Sequence, residues 1–235
     1  MNHPDWYFKY FDKIFSRKAG YDFEIQQIGK LCSLDNKRIQ EIGSGTGEHA
    51  RRLLTKNIEY LELVDFDPTS IQILRQEFAS EPSVNIRFAD GFNDGVSDSF
   101  DLIILMYSII LLNIEHLQEL SHRVDILLKR LNNKGRLIFE VIDRDISASV
   151  YREGDSTVLF NKGNEKVSVK SSYSKDKLHF IYYGQLENKS IHYRASLLAV
   201  NKNQLFSMLK EKPISEFGSV SLDAFGYRLL VFIKK

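Results

Sequence analysis

Residues 38–48, Arg38-Ile39-Gln40-Glu41-Ile42-Gly43-Ser44-Gly45-Thr46-Gly47-Glu48, run a short strand pattern straight into three glycines at alternate positions and then a helix pattern. Glycine in such a turn permits left-handed backbone and lets a small ligand lie against bare main chain. A second strand pattern, Tyr60-Leu61-Glu62-Leu63-Val64-Asp65, ends on an acid about 20 residues later, where a carboxylate can accept from ribose hydroxyls. The spacing points to a ligand that carries a ribose. The glycines fall as G-x-G-x-G, whereas dinucleotide binders use G-x-G-x-x-G, and Glu41 and Glu48 flank them. Two carboxylates beside the turn would repel a pyrophosphate and suit a ligand bearing ammonium or sulfonium charge. An ordinary strand-to-helix turn with a surface acid is the alternative.

The elements that must position these residues are legible in the hydrophobic periodicity. Residues 5–16 (Trp6, Phe8, Phe11, Ile14, Phe15) and 22–33 (Phe23, Ile25, Ile28, Leu31, Cys32) have helical spacing and predict a helical cap over 1–36. Residues 47–56 predict a helix after the glycines, and Asp67 caps another that starts at Pro68 and turns Ile71, Leu74 and Phe78 inward. Further strands are expected at 85–90, 101–107 and 135–142, with a helix over 114–131. The run 102–106 is continuously apolar, as a parallel strand covered on both faces requires. This alternation predicts an α/β fold, a doubly wound sheet with right-handed crossovers.

Period-two alternation then takes over, with short strands expected at 158–160, 166–170, 178–183 and 191–198. They predict an antiparallel β insertion, residues 151–200, entering directly after the fifth strand and before the penultimate one. A helix at 202–211 and strands at 214–221 and 227–233 close the chain. With no linker, low-complexity tract or internal repeat, residues 1–235 read as one domain.

Composition excludes several function classes. The 235 residues are 43% hydrophobic, enough for a full core, and the net charge of +1 offers no basic surface for tracking phosphates, so nucleic acid is not an expected partner. A lone Cys32 excludes an internal disulfide and multi-cysteine metal clusters, and with them radical cluster chemistry; it reads as core packing. The histidines at 3, 49, 116, 122, 179 and 192 lack metal-ligand spacing and read as surface or satisfied polar residues, with His192 a candidate for the acceptor site; no metal is expected. The start of the sequence has no basic-then-apolar signal, and the longest apolar run, 102–112, is broken by Ser108 and too short for a bilayer, so no membrane partner and a cytoplasmic location are expected.

The segment from Glu41 to Gly47 followed by Asp65 resembles the E/D-x-G-x-G-x-G first motif and acidic strand end of the class I S-adenosylmethionine-dependent methyltransferases. The closing helix, strand, strand pattern is similar to their ending, so the resemblance implies a seven-stranded Rossmann-like methyltransferase sheet with a reversed final strand. Arg17, Lys18, Tyr21 and Glu24, the Gly-Thr-Gly-x-His of Gly45 to His49, Met106-Tyr107-Ser108 and the insertion together look like the small-molecule N-methyltransferases of nucleotide-linked amino sugars and, more distantly, of glycine and sarcosine. Two departures stand out: the basic residue and tyrosine lie one residue further apart than in that group, and strand five ends Glu140-Val141-Ile142-Asp143 where a Pro-Trp-rich turn is usual.

What the resemblance implies is a set of roles. S-adenosyl-L-methionine is the cofactor and S-adenosyl-L-homocysteine its product. Glu41 and the backbone of Gly43, Ser44, Gly45 and Gly47 would hold the methionyl end, with Arg17 and Tyr21 on its carboxylate, and Asp65 would take the ribose diol. Phe66 and Phe92 would sandwich adenine while Asp90, followed by Gly91, accepts from the exocyclic amine; Asp90-Gly91 is also an ordinary turn. Met106 completes the cofactor set. Tyr107, at the mouth of strand four, is the candidate catalytic residue touching the acceptor, against plain packing under a lid. Glu140 and Asp143 either attract a cationic amine or are solvated loop acids.

Three functions remain open on the sequence: methylation of a small-molecule amine, methylation of oxygen or of a macromolecule on the same fold, and binding without catalysis. Met106-Tyr107-Ser108-Ile109 is not the Asn/Asp-Pro-Pro-Tyr with which base-modifying enzymes hold a flipped base. Tyr173, Tyr182, Tyr183 and Tyr193 of the insertion would stack on a sugar or base, or pack a homodimer interface over an apolar sheet face that needs a cover. Trp6, Tyr7, Tyr10 and Phe11 would cover the sheet or close over the cofactor.

Overall fold

The computed structural model describes residues 20–93, 99–151, 156–222 and 227–235; the aromatic segment at 5–16 and Arg17 lie outside them. The first half alternates as expected: α1 (Gly20–Leu31), β1 (Arg38–Ile42), α2 (Glu48–Leu54), β2 (Tyr60–Asp65), α3 (Pro68–Glu77), β3 (Val84–Phe88) and β4 (Phe100–Leu105). A 3-10 turn at Ile109–Leu111 leads to α4 (Leu117–Arg130) and the long β5 (Leu131–Ile142). Then follow α5 (Arg144–Val150), four strands β6 (Ser156–Lys162), β7 (Glu165–Ser174), β8 (Lys177–Leu186) and β9 (Lys189–Leu198), α6 (Lys202–Leu209), β10 (Ile214–Ser221) and β11 (Tyr227–Lys234).

The main sheet has the order β10-β11-β5-β4-β1-β2-β3, with β1 to β5 parallel and β11 antiparallel to both its neighbours. The apolar run of β4 explains the layering, because alternate side chains of a strand face opposite ways. Leu102, Ile104 and Met106 join α1, α2 and α3 in one buried layer, whereas Ile103 and Leu105 join α4, α6 and the inserted sheet in the other. Asp67 caps α3 through Thr69 N at 2.8 Å, and Ile71, Leu74 and Phe78 are buried. Just past α1, Cys32 is buried with its thiol against the Ile28 carbonyl at 3.6 Å, and burial pushes its pKa up to about 11. Among the described residues no helix is long and apolar enough to cross a membrane.

One expectation about the insertion is corrected. It does not leave β5 directly: α5 intervenes, capped by Asp143, whose Oδ1 accepts from Asp145 N at 3.0 Å and Ile146 N at 3.4 Å. On one face of the inserted sheet Val169, Leu178, Phe180 and Leu197 are buried in the same cluster as β4, β5 and α4. Bridges from Leu112 to Leu197 and from Asp143 to Val200 pin this sheet to the carboxyl ends of β4 and β5.

A polar line crosses the α4 face of the parallel sheet. The buried carboxylate of Glu62 accepts from Gln40 Nε2 at 2.6 Å and from Arg87 Nη2 at 2.6 Å, and Arg130 Nη1 reaches Gln40 Oε1 at 3.5 Å. Arg130 also donates to the carbonyls of Gly91, at 2.7 Å, and Asn93, tying the turn after β3 to the sheet. Gly91 is buried there, and a Cβ on it would run into Ile42 Cγ2.

That contact generates a prediction. Gly91→Ala should cost about 1–3 kcal/mol, the usual range for overpacking, or roughly 2–4 °C in Tm per kcal/mol at this chain length. In an Ile42→Ala background the same change should cost markedly less, because the two sites share the crowded volume. Equal costs in both backgrounds, measured by thermal unfolding, would show that the clash is not what fixes glycine there.

Candidate active site

The turn between β1 and α2 is built on left-handed backbone at Gly43, Gly45 and Gly47, with φ of 75°, 52° and 81°. Two of these glycines also answer to packing, since a Cβ on Gly43 would stand 2.9 Å from Ile109 Cγ1 and one on Gly47 2.7 Å from Phe78 Cε2. The turn is held by the end of β2: Gly43 N and Ser44 N donate to the Val64 carbonyl at 2.8 and 3.2 Å, and Gly45 N donates to Asp65 Oδ2 at 2.9 Å. Asp65 is buried, and its other oxygen accepts from Asp67 N at 2.9 Å. Burial raises its pKa, and the backbone N–H groups of Asp67 and Gly45 oppose the rise.

Behind the turn, Glu41 and Tyr21 join two residues, Glu24 and His49, to which the sequence assigns no ligand role. His49, on the first turn of α2, is buried with Nε2 2.7 Å from Glu24 Oε2 and Nδ1 3.4 Å from Glu41 Oε1. Glu24 and Glu41 are 1% and 2% exposed, and Glu41 Oε2 is buried with no hydrogen-bond partner among the described residues. Burial by itself would push the imidazole down in pKa, but the hydrogen bonds to Glu24 and Glu41 overturn it and lift it to about 9. Tyr21 meets His49 edge to face at 5.0 Å, and Tyr107 closes the group with its ring 5.9 Å from the imidazole and 6.1 Å from Tyr21. Tyr21, Glu41 and Tyr107, drawn from three parts of the sequence, are thus neighbours. The Tyr-x-x-Glu and Gly-x-His spacings carried that signal, but only the fold brings the two together.

Tyr107 and Ser108 both sit in the left-handed region, at φ 53° and 55°, where a non-glycine residue costs on the order of 1–3 kcal/mol. The Ser108 hydroxyl donates to Glu140 Oε1 at 2.8 Å, and Glu140 is fully buried. Glu140 is therefore neither a solvated loop acid nor open to the cleft; it anchors the turn that presents Tyr107. Asp143 is spent on capping α5, with Arg228 Nη1 3.8 Å away.

The adenine-side candidates are less convergent. Asp90 is exposed and its Oδ1 accepts from Phe92 N at 3.0 Å, which is the ordinary turn geometry that sequence left open. Phe92 and Phe66 are half-buried, and one face of Phe92 is covered by the Arg123 guanidinium 4.3 Å from the ring centroid. Met106 is buried in the layer with α1 and α2.

In the inserted sheet the tyrosines divide. Tyr182 stacks between Phe180 at 6.1 Å and Tyr193 at 5.8 Å, on the face that packs on the core, and burial raises its phenol pKa. Tyr173 instead donates its hydroxyl to Asp176 Oδ1 at 3.0 Å. Tyr183 and its cross-strand partner His192 occupy the opposite face, so His192 is not brought to the carboxyl ends of the main strands.

Residues 40–137 match the family described as a methyltransferase domain. No curated protein matches the chain. Among solved structures it is similar to the CcbJ methyltransferase from Streptomyces caelestis, at 13% identity and a TM-score of 0.79, over 97% of this chain and 96% of that one. It is similar to CalS10, an amino pentose methyltransferase from Micromonospora echinaspora solved with bound S-adenosylmethionine, at 14% identity and a TM-score of 0.74, over 100% and 99% of the two chains. A third is the sugar N-methyltransferase KedS8 from Streptoalloteichus sp ATCC 53650, at 15% identity and a TM-score of 0.75, over 100% and 94%. The chain has the fold of the S-adenosylmethionine-dependent methyltransferases, and the stretch that matches the methyltransferase-domain family holds the glycine turn, Asp65 and Tyr107.

Proposed function

We propose that the chain transfers a methyl group from S-adenosylmethionine to the amine of a small molecule, with an amino sugar carried on a nucleotide as the acceptor class. The observation that carries the cofactor half is the buried Glu41 Oε2, an acceptor at the glycine turn with no partner among the described residues. A buried carboxylate oxygen in that state suits an ammonium donor, which the methionyl end of the cofactor brings. The backbone of Gly43, Ser44, Gly45 and Gly47 would lie along the same end. Asp65 has lone-pair capacity left beyond its two backbone bonds and the Ser70 hydroxyl, since an ionised carboxylate takes about four donors, and this would receive the ribose hydroxyls. Phe66 and Phe92 would flank adenine.

The bound cofactor supplies a methyl group that is already activated. What remains for the protein is to align the acceptor nitrogen at ~3–3.5 Å and to keep water out. Tyr107 is the residue for that alignment, because the Ser108–Glu140 bond fixes its turn at the carboxyl end of β4. On the acceptor side, the sheet pinned beside β4 and β5 supplies the Tyr182–Tyr193 stack as a wall for a flat or ring-shaped group. The likeness to CalS10 and KedS8, whose names specify sugar substrates, supports that acceptor class.

Two measurements test this reading. S-adenosylhomocysteine at a hundredfold excess over its Kd should stabilise the protein by ~2.7 kcal/mol, a rise in Tm of roughly 5–11 °C. Asp65→Asn and Gly45→Val should remove most of that rise; no shift with either cofactor form, together with a shift from NADH or ATP, overturns the cofactor assignment. Transfer of labelled methyl should be seen to a nucleotide-linked amino sugar and not to RNA, protein or hydroxyl-only sugars. Tyr193→Ala should lower kcat/KM for that amine at least tenfold, about 1.4 kcal/mol, while leaving the S-adenosylhomocysteine Kd within twofold. Labelling of a macromolecule alone would refute the small-molecule reading.

A further inference from the structure

Resting on the cofactor assignment above, we propose that His49 is a positioning residue: it bridges Glu24 and Glu41 so that Glu41 Oε2 is held ready for the methionyl ammonium. The geometry is one-sided. Nε2 is 2.7 Å from Glu24 Oε2 and Nδ1 is 3.4 Å from Glu41 Oε1, so the imidazole engages one oxygen of Glu41 and leaves the other, buried, without a partner among the described residues. An acidic cluster alone would be ambiguous. Here the unpartnered oxygen belongs to a 2% exposed carboxylate on β1, directly before the glycine turn.

Charge points the same way. Two carboxylates and one imidazolium leave the cluster with a single negative charge, in a site where an uncompensated charge is costly. An ammonium at Glu41 Oε2 would complete the neutralisation. The remaining groups facing His49 among the described residues are Tyr21 from α1 and Tyr107 from the turn after β4, both through their rings. The imidazole is held protonated to about pH 9. The folded value lies above the ordinary 6.5, so the stabilisation from its proton is fully present below pH 6.5 and is lost as pH rises through 9.

The test separates the methionyl end from the rest of the ligand. S-adenosylhomocysteine carries the ammonium, whereas 5′-methylthioadenosine keeps the adenosine and lacks the amino acid. By calorimetry at pH 7.5, His49→Gln should raise the Kd for S-adenosylhomocysteine at least tenfold and leave that for 5′-methylthioadenosine within twofold. Glu41→Gln should do the same, and the double variant should lose little more. Glu24→Gln, which keeps His49 but removes one of its two carboxylates, should give the same selective loss and serves if His49→Gln does not fold. The decline in Tm of the ligand-free protein between pH 6.5 and 9 should be shallower in His49→Gln. Equal weakening of both ligands would mean a merely structural histidine, and unchanged or tighter S-adenosylhomocysteine binding would also overturn the proposal. Wild type binding neither ligand would instead sink the cofactor assignment on which it rests.

Discussion

Gly43 and Ser44 give their backbone N–H groups to the carbonyl of Val64, and Gly45 gives its own to the carboxylate of Asp65, so the glycine turn is suspended from the last two residues of β2. That dependence organises the rest. A buried backbone donor must find a partner, and a turn left bare for a ligand has few side chains of its own to offer. The parallel register of β1 on β2, Ile42 opposite Val64, places the partners where they are needed. Asp65 thereby serves the protein before it serves any ligand.

On the two faces of the sheet, buried charge is handled in two ways. Under α4, Glu62 is matched by Arg87 and Gln40 and the line continues to Arg130, so its polar groups are occupied and the turn after β3 is tied down. Under α1 and α2, Glu24, His49 and Glu41 leave one oxygen over. The first arrangement specifies a conformation, and the second holds an acceptor in reserve at the turn. Their chemistry is alike, and what separates them is whether the set is complete.

The parallel core was legible because two-sided burial writes an unbroken apolar run such as 102–106, and the α3 cap because Asp67-Pro68 combines a capping side chain with a fixed φ. Gln40 and Glu62 were hidden by sitting at ordinary interior positions of apolar strands. Helix α5 was missed because its seven residues, with Asp145, Ser147 and Ser149, have too little apolar periodicity to announce it. Tyr107 and Ser108 gave no hint of left-handed backbone, since neither is a residue type that favours it. In the sequence His49 is an ordinary polar residue, because its meaning depends on Glu24, 25 positions away, and that proximity is a property of the α1–α2 pairing.

Cys32 makes the protein carry its own clock of opening. The thiolate is the reactive form of cysteine, and a thiol buried under α1 with a pKa of about 11 offers almost none of it at neutral pH. Alkylation of Cys32 is therefore slow in the folded chain and speeds up whenever the layer formed by α1 and α2 parts from the sheet, so its rate reports on those excursions. The residues that gather around the glycine turn, Tyr21, Glu24 and His49, lie on these same two helices. How often the floor of the site comes apart can therefore be read from a single sulfur atom that the chain already carries.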